Sequence, residues 1–218
     1  MKNHLIRALA LLLATLTLAL PLVSCGLEDE TAFISTAREL ISRSATLNEI
    51  YFGAGIKYDP ERKGVGNYYY ADEEYMKTAG FTNIKELKEK TAEVFSEEYC
   101  NIIYQSAFEG IKDDNSIVYA RYSNDETLSD TTGERTGKIL INSEYTPYDG
   151  MLAYERSYDL DSLEIVKVKR MTVTVSIKVT YSTREGYSDD AKLAGERVRE
   201  ITFLRLDDGG FRINTPTY

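Results

Sequence analysis

Histidine, tryptophan and cysteine are nearly missing from this sequence of 218 residues. It contains one histidine, His4, no tryptophan, and two cysteines, Cys25 and Cys100. His4 lies in a leader segment, so the rest of the chain has no imidazole; this excludes Ser-His-Asp and Cys-His nucleophiles and imidazole metal ligands. Because Cys25 has a different predicted role, we expect no intramolecular disulfide. Cys100 lies in a helical pattern and is predicted to be a small buried core residue.

Basic charge is also in short supply. The sequence has 26 Lys and Arg against 35 Asp and Glu, a net charge of −9. Without Lys2 and Arg7 of the leader, 24 basic groups remain and the net charge becomes −11. This balance argues against nucleic acid as a partner and against electrostatic docking on anionic lipid. It slightly favours a cationic partner, although solubility alone accounts for such a surface.

Residues 1–24 have the pattern of a secretory signal peptide. Lys2 and Arg7 form a positive start, and the apolar run Leu9–Leu20 is too short to predict a spanning helix. The run Leu-Val-Ser-Cys-Gly at positions 22–26 resembles the bacterial lipobox. That resemblance implies cleavage before Cys25, a diacylglycerol on Cys25 and a position on the outer face of the bacterial cytoplasmic membrane. Two acyl chains anchor a protein stably where one does not. The alternative is an ordinary signal peptide followed by a free thiol.

The chain after the anchor site, residues 25–27, is predicted to be one domain, 28–218, whose first half is helical. Acids at 28–30 precede apolar residues spaced by three or four, which predicts an amphipathic helix that stops at Gly53 and Gly55. Residues 56–70 contain glycines and show no periodicity, so we expect irregular structure there. A second helix is expected to follow Thr82 and Asn83, with either residue as its N-cap.

Ser96 is predicted to cap a third helix that ends at Gly110. Its inward residues are expected to be Ile102, Ile103, Ala107 and Phe108.

The second half is predicted to be a sheet built around the run Met171–Tyr181. Its odd-numbered residues are apolar or aromatic and its even-numbered residues are Thr, Ser or Lys, which indicates a strand with one buried face. At ~3.3 Å per residue it would be roughly 36 Å long. Because the alternation changes phase near Lys169 and Arg170, we expect a kink or bulge there within a single strand, Leu163–Tyr181.

Other predicted strands are Ile117–Ser123, Lys138–Ser143, Val198–Leu206 and Phe211–Thr215, with a hairpin turn at Asp207–Gly210.

Two polar segments interrupt the predicted strands, at Asn124–Gly137 and Ser182–Arg197. If the strands form one up-and-down meander, both segments connect strands at the same end of the sheet. Long loops of this kind are either functional or simply mobile.

Helices followed by a long curved antiparallel sheet give an α+β fold that resembles the NTF2-like superfamily, which is cone-shaped. Three stretches support the resemblance: Thr-Asn-Ile-Lys-Glu-Leu-Lys from position 82 with Val-Phe-Ser-Glu from 94, Tyr-Ala-Arg-Tyr from 119, and the ending from Asp208 to Tyr218. Together they resemble secreted proteins of low-GC Gram-positive bacteria, including the D,L-endopeptidase inhibitor family, which blocks cell-wall hydrolases. The chain departs from them in its predicted lipid anchor and in Phe211, where many such domains have tryptophan. No inhibitory residue is carried over.

Tyrosine is abundant, and two clusters of it are candidate ligand contacts. A tyrosine ring offers a flat apolar face and a hydroxyl to a sugar or a peptide stem. The alternative is that these side chains are half-buried parts of strands and loops. The candidate ligand-binding residues are Tyr68, Tyr69, Tyr70, Tyr119, Arg121 and Tyr122, with Tyr75 near the first group.

Acidic clusters offer weaker signals. The acids at 113–114 and 207–208 could supply oxygen ligands to calcium, but their spacing does not match a calcium loop and both lie where turns are needed. Glu97 and Glu98 are first of all helix-start residues. We therefore predict no metal, no cofactor and no catalytic residue.

Three functions remain open on the sequence. The leading one is a lipid-anchored extracytoplasmic binding or regulatory domain whose partner is a cell-wall hydrolase or another envelope protein. The second is a module that binds a small ligand, a sugar or a peptide, in the interior of the cone. The third is an enzyme that hydrolyses wall glycans with a pair of carboxylates.

Overall fold

The computed structural model describes residues 27, 29–109, 112–113, 116–117, 120–125, 137–145, 153–187 and 194–217. They form an α+β architecture of three helices of eight or more residues, one shorter helix, two four-stranded antiparallel sheets and a two-stranded hairpin. The predicted α+β class is confirmed. The leader and Cys25 lie outside the described residues, so the predicted lipidation stays a prediction.

Helix α1, Glu30–Phe52, is the longest. Asp29 caps its N-terminus by accepting a hydrogen bond from the Ala32 amide, and the helix ends at Gly53 as predicted. An acid at this position serves both as a cap and as a negative charge at the positive end of the helix dipole. The predicted apolar face is buried: Phe33, Ala37, Leu40, Ile41, Leu47 and Ile50.

Three further helices follow: α2, Glu73–Ala79, which was not predicted, α3, Ile84–Val94, and α4, Glu97–Tyr104. Asn83 and Ser96 cap α3 and α4 as expected. A π-helical turn, Gln105–Glu109, extends α4, and Gly110 lies outside the described residues.

One inward position in α4 was predicted wrongly. Ile102 is 59% exposed, whereas Tyr99, Cys100 and Ile103 are buried. Successive helical residues are rotated by about 100°, so a face defined by positions 99, 100 and 103 leaves 102 on the solvent side. The buried position predicted for Cys100 is confirmed.

The second sheet is a meander of β7, Tyr154–Val168, β8, Thr172–Thr183, β9, Gly195–Arg205, and β10, Phe211–Ile213. The buried face predicted for β8 is confirmed at Val173, Val175, Ile177, Val179 and Tyr181. The predicted turn at Asp207–Gly210 is confirmed, because the Leu206 amide donates to the Gly210 carbonyl at 2.8 Å.

The single kinked strand Leu163–Tyr181 is wrong. The chain reverses at Lys169–Met171, where the Lys169 amide donates to the Thr172 carbonyl at 2.8 Å, and Val168 pairs with Val173. A bulge and a tight turn both shift the phase of alternation, so the sequence pattern could not separate them. Met171 is consequently in the turn and half exposed rather than inward.

The first sheet has the order β1-β2-β6-β5, with β1, Tyr58–Lys63, β2, Tyr68–Ala71, β5, Tyr122–Asn124, and β6, Ile139–Asn142. The short hairpin joins β3, Lys112–Asp113, to β4, Ser116–Ile117. The predicted strand Lys138–Ser143 is thus confirmed as β6. The irregular structure predicted for 56–70 is wrong, since β1 and β2 form a hairpin there. β1 is a polar edge strand containing Pro60, and edge strands need no apolar alternation.

The predicted strand Ile117–Ser123 is also wrong as one element. Ile117 ends β4, and Tyr122 begins β5 in a different sheet.

Two separate sheets replace the one long curved sheet that we predicted, and the described strands form no closed or strongly curled sheet. The segment Asn124–Gly137 joins two strands of the first sheet, and Ser182–Arg197 joins two strands of the second. The premise of a single meander is therefore wrong. Residues 126–136 of the first segment and residues 188–193 of the second lie outside the described residues.

One apolar core connects α1 to the second sheet. The Phe33 ring packs edge-on against Phe203 and Phe211, with centroids 5.4 and 4.8 Å away. The junction of α3 and α4 joins the same sheet, because the Ser96 amide donates to the Ile213 carbonyl at 2.8 Å. This packing fixes the last turns of α1 beside β7 and the C-terminal residues.

Candidate functional site

Tyr68 and Tyr70, both predicted ligand contacts, lie on the outer face of the first sheet. The Tyr68 hydroxyl donates to the Ala120 carbonyl at 3.0 Å, and the Tyr70 hydroxyl donates to Asp125 Oδ2 at 2.9 Å. Both partners flank β5, so each side chain reaches across the intervening β6. The hydrogen bond to Asp125, with burial, raises the pKa of Tyr70. These tyrosines act as clamps between strands.

Tyr69 points to the opposite face of the same strand. Its ring lies 5.1 Å from that of Tyr58, and Lys63 Nζ lies 6.0 Å from the Tyr69 centroid. The three residues form a small aromatic and cationic surface on the β1–β2 hairpin. Tyr119 lies outside the described residues.

Arg121 and Tyr122 hold the C-terminal end of α1. Arg121 Nη1 donates to the Tyr51 carbonyl at 3.0 Å and Nη2 to the Gly53 carbonyl at 2.8 Å. The Tyr122 hydroxyl donates to the Ile50 carbonyl at 2.5 Å. The last carbonyls of a helix have no partner inside the helix, so these side chains satisfy them in a buried setting.

The Tyr122 hydroxyl is bonded from both sides. It also accepts a hydrogen bond from the Ile56 amide at 3.1 Å, and burial raises its pKa to about 12. Structural hydrogen bonds thus occupy Tyr68, Tyr70, Arg121 and Tyr122, and the five predicted residues that the structure describes do not share one surface. Their role in ligand binding stays a prediction.

A second polar cluster, which we did not predict, lies between α1 and β7. Glu49 Oε2 accepts a hydrogen bond from Arg184 Nη2 at 2.8 Å, and Glu49 Oε1 lies 4.0 Å from Arg156 Nη1. Arg184 also reaches Glu155 at 3.4 Å. The Arg156 side chain is 2% exposed. A guanidinium buried to this extent is unusual and normally has a structural or functional reason.

Glu49 and Arg156 of this cluster line a cleft of about 220 Å³. Its wall on α1 has two rim residues, Ala45 and Thr46, and two polar residues, Asn48 and Glu49; its wall on β7 has Arg156 and Tyr158. We call this the α1–β7 cleft.

Behind the cleft, a chain of hydrogen bonds attaches the C-terminal residues. Thr217 Oγ1 donates to Ser44 Oγ at 3.1 Å and accepts from Asn48 Nδ2 at 2.7 Å. The Tyr158 hydroxyl donates to the Thr217 carbonyl at 2.6 Å, and burial raises the pKa of Tyr158. The polar groups on this side of the cleft are therefore held in fixed positions.

A signal for this site was present in the sequence. Ser44 and Asn48 lie four residues apart and continue the buried face that runs through Ala37 and Ile41 of α1. Polar residues on an apolar helix face are more informative than apolar residues on the outside. Their partners on β7 and at Thr217 are more than a hundred residues away, and no local pattern connects them.

Two described groups that could take part in covalent chemistry are restrained in this structure. Glu49 is held between two arginines, and burial raises the pKa of the Cys100 thiol, which lowers its reactivity. Within the described ranges, no group of three or more His, Cys, Asp or Glu side chains could hold a metal ion.

Comparisons of the chain with protein-family profiles, with curated proteins and with solved structures find no match. Among the described helices, none combines the length and hydrophobicity needed to cross a membrane.

Proposed function

We propose that the protein is a lipid-anchored binding domain on the outer face of the bacterial cytoplasmic membrane. Its proposed partner is another envelope protein, with a cell-wall hydrolase as the leading class. The observation that supports the proposed lipid anchor is the lipobox-like run at positions 22–26. The observation that favours a protein partner over a ligand held in a cone is the filled core, in which Phe33, Tyr122 and Phe203 are fully buried.

The start of the domain supports a short anchor. Leu27 packs against the core, and Asp29 already caps α1. Two residues of extended chain reach about 7 Å, so a lipid on Cys25 would hold the domain directly at the membrane surface. A partner would therefore be met close to the membrane.

The NTF2-like resemblance is part of this proposal. It is supported by helices that precede the second sheet and by the antiparallel meander from β7 to β10 in that sheet. A fold relationship does not by itself give a function, so the partner class rests on the resemblance described above.

The anchor is tested with the full chain and a Cys25→Ala variant expressed in bacteria. We expect the wild type to partition into membranes and to incorporate labelled fatty acid, and the variant to do neither. Equal membrane binding by the variant would contradict the lipid anchor.

The partner is tested with the full chain, tagged after Tyr218, in detergent-solubilised envelope. Specific retention of a wall hydrolase, with loss of its activity, is the expected result. If no envelope protein is retained, the proposal of a tightly bound hydrolase is wrong.

A second candidate function is the binding of a small ligand. The α1–β7 cleft favours it, because buried charged and amide groups converge there. Glu49 is the one carboxylate residue among the described residues that line this cleft, so the paired carboxylates of a glycosidase are not found in it.

A further inference from the structure

The start of α1 lies at the end of the second sheet where β7 turns into β8. Arg38, in the third turn of α1, donates from Nε to the Leu160 carbonyl of β7 at 3.1 Å. Glu30, at the start of α1, lines one groove with Ile165 of β7. α1 is therefore antiparallel to β7, and its first turn is directed towards the β7–β8 turn, Lys169–Met171.

The β7–β8 turn is also hydrogen-bonded to the strand beside the predicted anchor site. The Arg205 amide, at the end of β9, donates to the Met171 carbonyl at 2.8 Å. Arg205 and Leu27 line the same groove, and Leu27 is two residues from Cys25, which extended chain spans in about 7 Å. A lipid on Cys25 would thus attach the domain at the end that carries this turn.

The turn and the end of β7 are basic and partly apolar. Lys167, Lys169 and Arg170 are exposed, and none of them forms an ion pair with another described residue. Met171 is 47% exposed, and positions 166–171 contain no acid. Long basic side chains can place their stems against an apolar layer while the charged group stays in a polar one. This combination suits the boundary between water and lipid.

Acids at this end of the molecule lie on other elements or on the outer face of β7. They are Asp29 and Glu30 of the first turn of α1, Glu164, and Asp207 and Asp208 of the β9–β10 turn. Because they are about as numerous as the nearby basic groups, attraction to anionic lipid does not by itself bring the domain to a membrane. Charges in ~0.15 M salt are screened beyond about 8 Å, so an attraction at the β7–β8 turn is local and acts once the lipid holds the domain there.

We propose that the β7–β8 turn is a second membrane contact of the anchored domain. Met171 enters the interfacial layer of the bilayer, and Lys169 and Arg170 bind the phosphates of lipid headgroups. The inference rests on the proposed lipid anchor at Cys25. With two contacts at one end, the orientation of the domain is fixed: α1, whose 23 residues span about 34 Å, points away from the membrane.

The chain contains no tryptophan, so a single introduced tryptophan reports its own surroundings. Three exposed apolar residues of the second sheet serve as positions for it: Met171, Val166, which is 49% exposed, and Val198, which is 66% exposed. Val166 lies three residues before the turn, at ~10 Å. Val198 is six residues along β9 from Leu204, the partner of Thr172, and therefore ~20 Å from the turn.

Each lipidated full chain, carrying Met171→Trp, Val166→Trp or Val198→Trp, is placed in vesicles of equal parts phosphatidylglycerol and phosphatidylcholine with brominated acyl chains. Bromine quenches tryptophan only at short range. We expect strong quenching and a blue shift in Met171→Trp, weaker quenching in Val166→Trp and none in Val198→Trp. No quenching in Met171→Trp, or equal quenching in Met171→Trp and Val198→Trp, would overturn the contact.

The role of charge is tested in the Met171→Trp chain. Each Lys or Arg near an anionic surface contributes about a fivefold factor, so Lys169→Gln should lower the ratio of quenched to unquenched tryptophan, measured from fluorescence lifetimes, about fivefold. Lys178→Gln is the matched control, since Lys178 is exposed on β8 opposite Val198, and it should leave the ratio unchanged. Equal ratios in the two variants would overturn the binding of headgroups by Lys169.

Incorporation of labelled fatty acid, measured on the same samples, separates this inference from the anchor on which it rests. A wild-type chain that incorporates no label overturns the anchor and the second contact together. A labelled chain that sediments with the vesicles but shows no quenching in Met171→Trp overturns the second contact alone.

Discussion

The two sheets of this protein are built in different ways. The second sheet joins strands that follow one another in sequence, and β7, β8 and β9 each have eleven or more residues. Its stability rests on an alternating apolar face against α1. The first sheet joins short strands from three parts of the chain, and β5 has three residues. Side chains of Tyr and Arg that bind backbone carbonyls hold it to its neighbours.

This difference explains why tyrosines of the first sheet resemble ligand contacts in the sequence. Short strands bury little apolar surface, so long polar side chains provide the connections between segments. In the second sheet, Tyr181 is also buried, but its hydroxyl accepts from Arg199, whose side chain is at the surface. The same residue type therefore supports the backbone in one sheet and fills a pleated surface in the other.

The largest expected effect is that of Arg121→Met. It removes two charge-assisted hydrogen bonds to carbonyls at the end of α1, each worth ~1.5–3 kcal/mol, so the free energy of unfolding should fall by about 3 kcal/mol. The matched change in the second sheet, Arg199→Met, should cost less than ~1 kcal/mol. Chemical denaturation followed by circular dichroism measures both, and equal losses would remove the distinction between the sheets.

High pH should destabilise the protein through Tyr122. Its pKa is about 12 in the folded protein and 10.0 otherwise, so the stabilisation is complete below pH 10 and is lost as the pH rises from 10 to 12. A shift of this size corresponds to roughly 2–3 kcal/mol. Denaturation curves at several pH values should show a fall that Tyr122→Phe reduces. An identical pH dependence in that variant would contradict the burial of this hydroxyl.

Near neutral pH, Tyr122→Phe should lower the free energy of unfolding by about 2 kcal/mol, because the Ile50 carbonyl and the Ile56 amide lose their partner in a buried place. Tyr181→Phe should cost below ~1 kcal/mol, since Arg199 remains solvated. A larger loss in Tyr181→Phe would reverse the comparison.

Gly55→Ala tests how closely the Gly55 backbone packs against the Arg121 guanidinium. Gly55 has φ +86°, and an added Cβ would lie 2.2 Å from Arg121 Nη2. The left-handed backbone alone costs ~1–2 kcal/mol for a residue with a Cβ, and displacement of Arg121 adds to this. Gly209→Ala, at φ +84° with open space around it, should show the backbone cost only. Equal melting temperatures for the two variants would show that the Arg121 side chain moves aside without a measurable loss of stability.

Tyr70→Phe should have the smallest effect, about 1 kcal/mol, because it removes one hydrogen bond from a half-buried clamp. Thermal unfolding measures it. A loss as large as that of Tyr122→Phe would mean that the outer clamps matter as much as the buried ones.

Much of the second sheet and of α1 could be predicted because their signals are local. The spacing of Phe33, Ala37 and Leu40 predicts one helix face, and the alternation from Val173 to Tyr181 predicts one strand face. The hairpin at Lys169–Met171 was missed because a change of phase does not distinguish a bulge from a reversal. The β1–β2 hairpin was missed because an edge strand carries no alternation.

The α1–β7 cleft could not be assembled from the sequence. Ser44 and Asn48 are visible as polar residues on an apolar face, but Arg156, Arg184 and Thr217 are placed beside them only by the packing of β7, β8 and the C-terminal residues. Contacts between residues so far apart in the chain produce no periodic pattern in the sequence.

By itself, the sequence determined the α+β class, the helix caps, the buried faces and the pattern that predicts a lipid anchor, because each depends on residues within a few positions of one another. Tertiary structure alone decided that the strands divide into two sheets, that Arg121 and Tyr122 bind the carbonyls at the end of α1, and that a buried arginine and a buried amide line one cleft. Hydrogen bonding and charge burial depend on which distant groups share a small volume, and only the packed chain sets that.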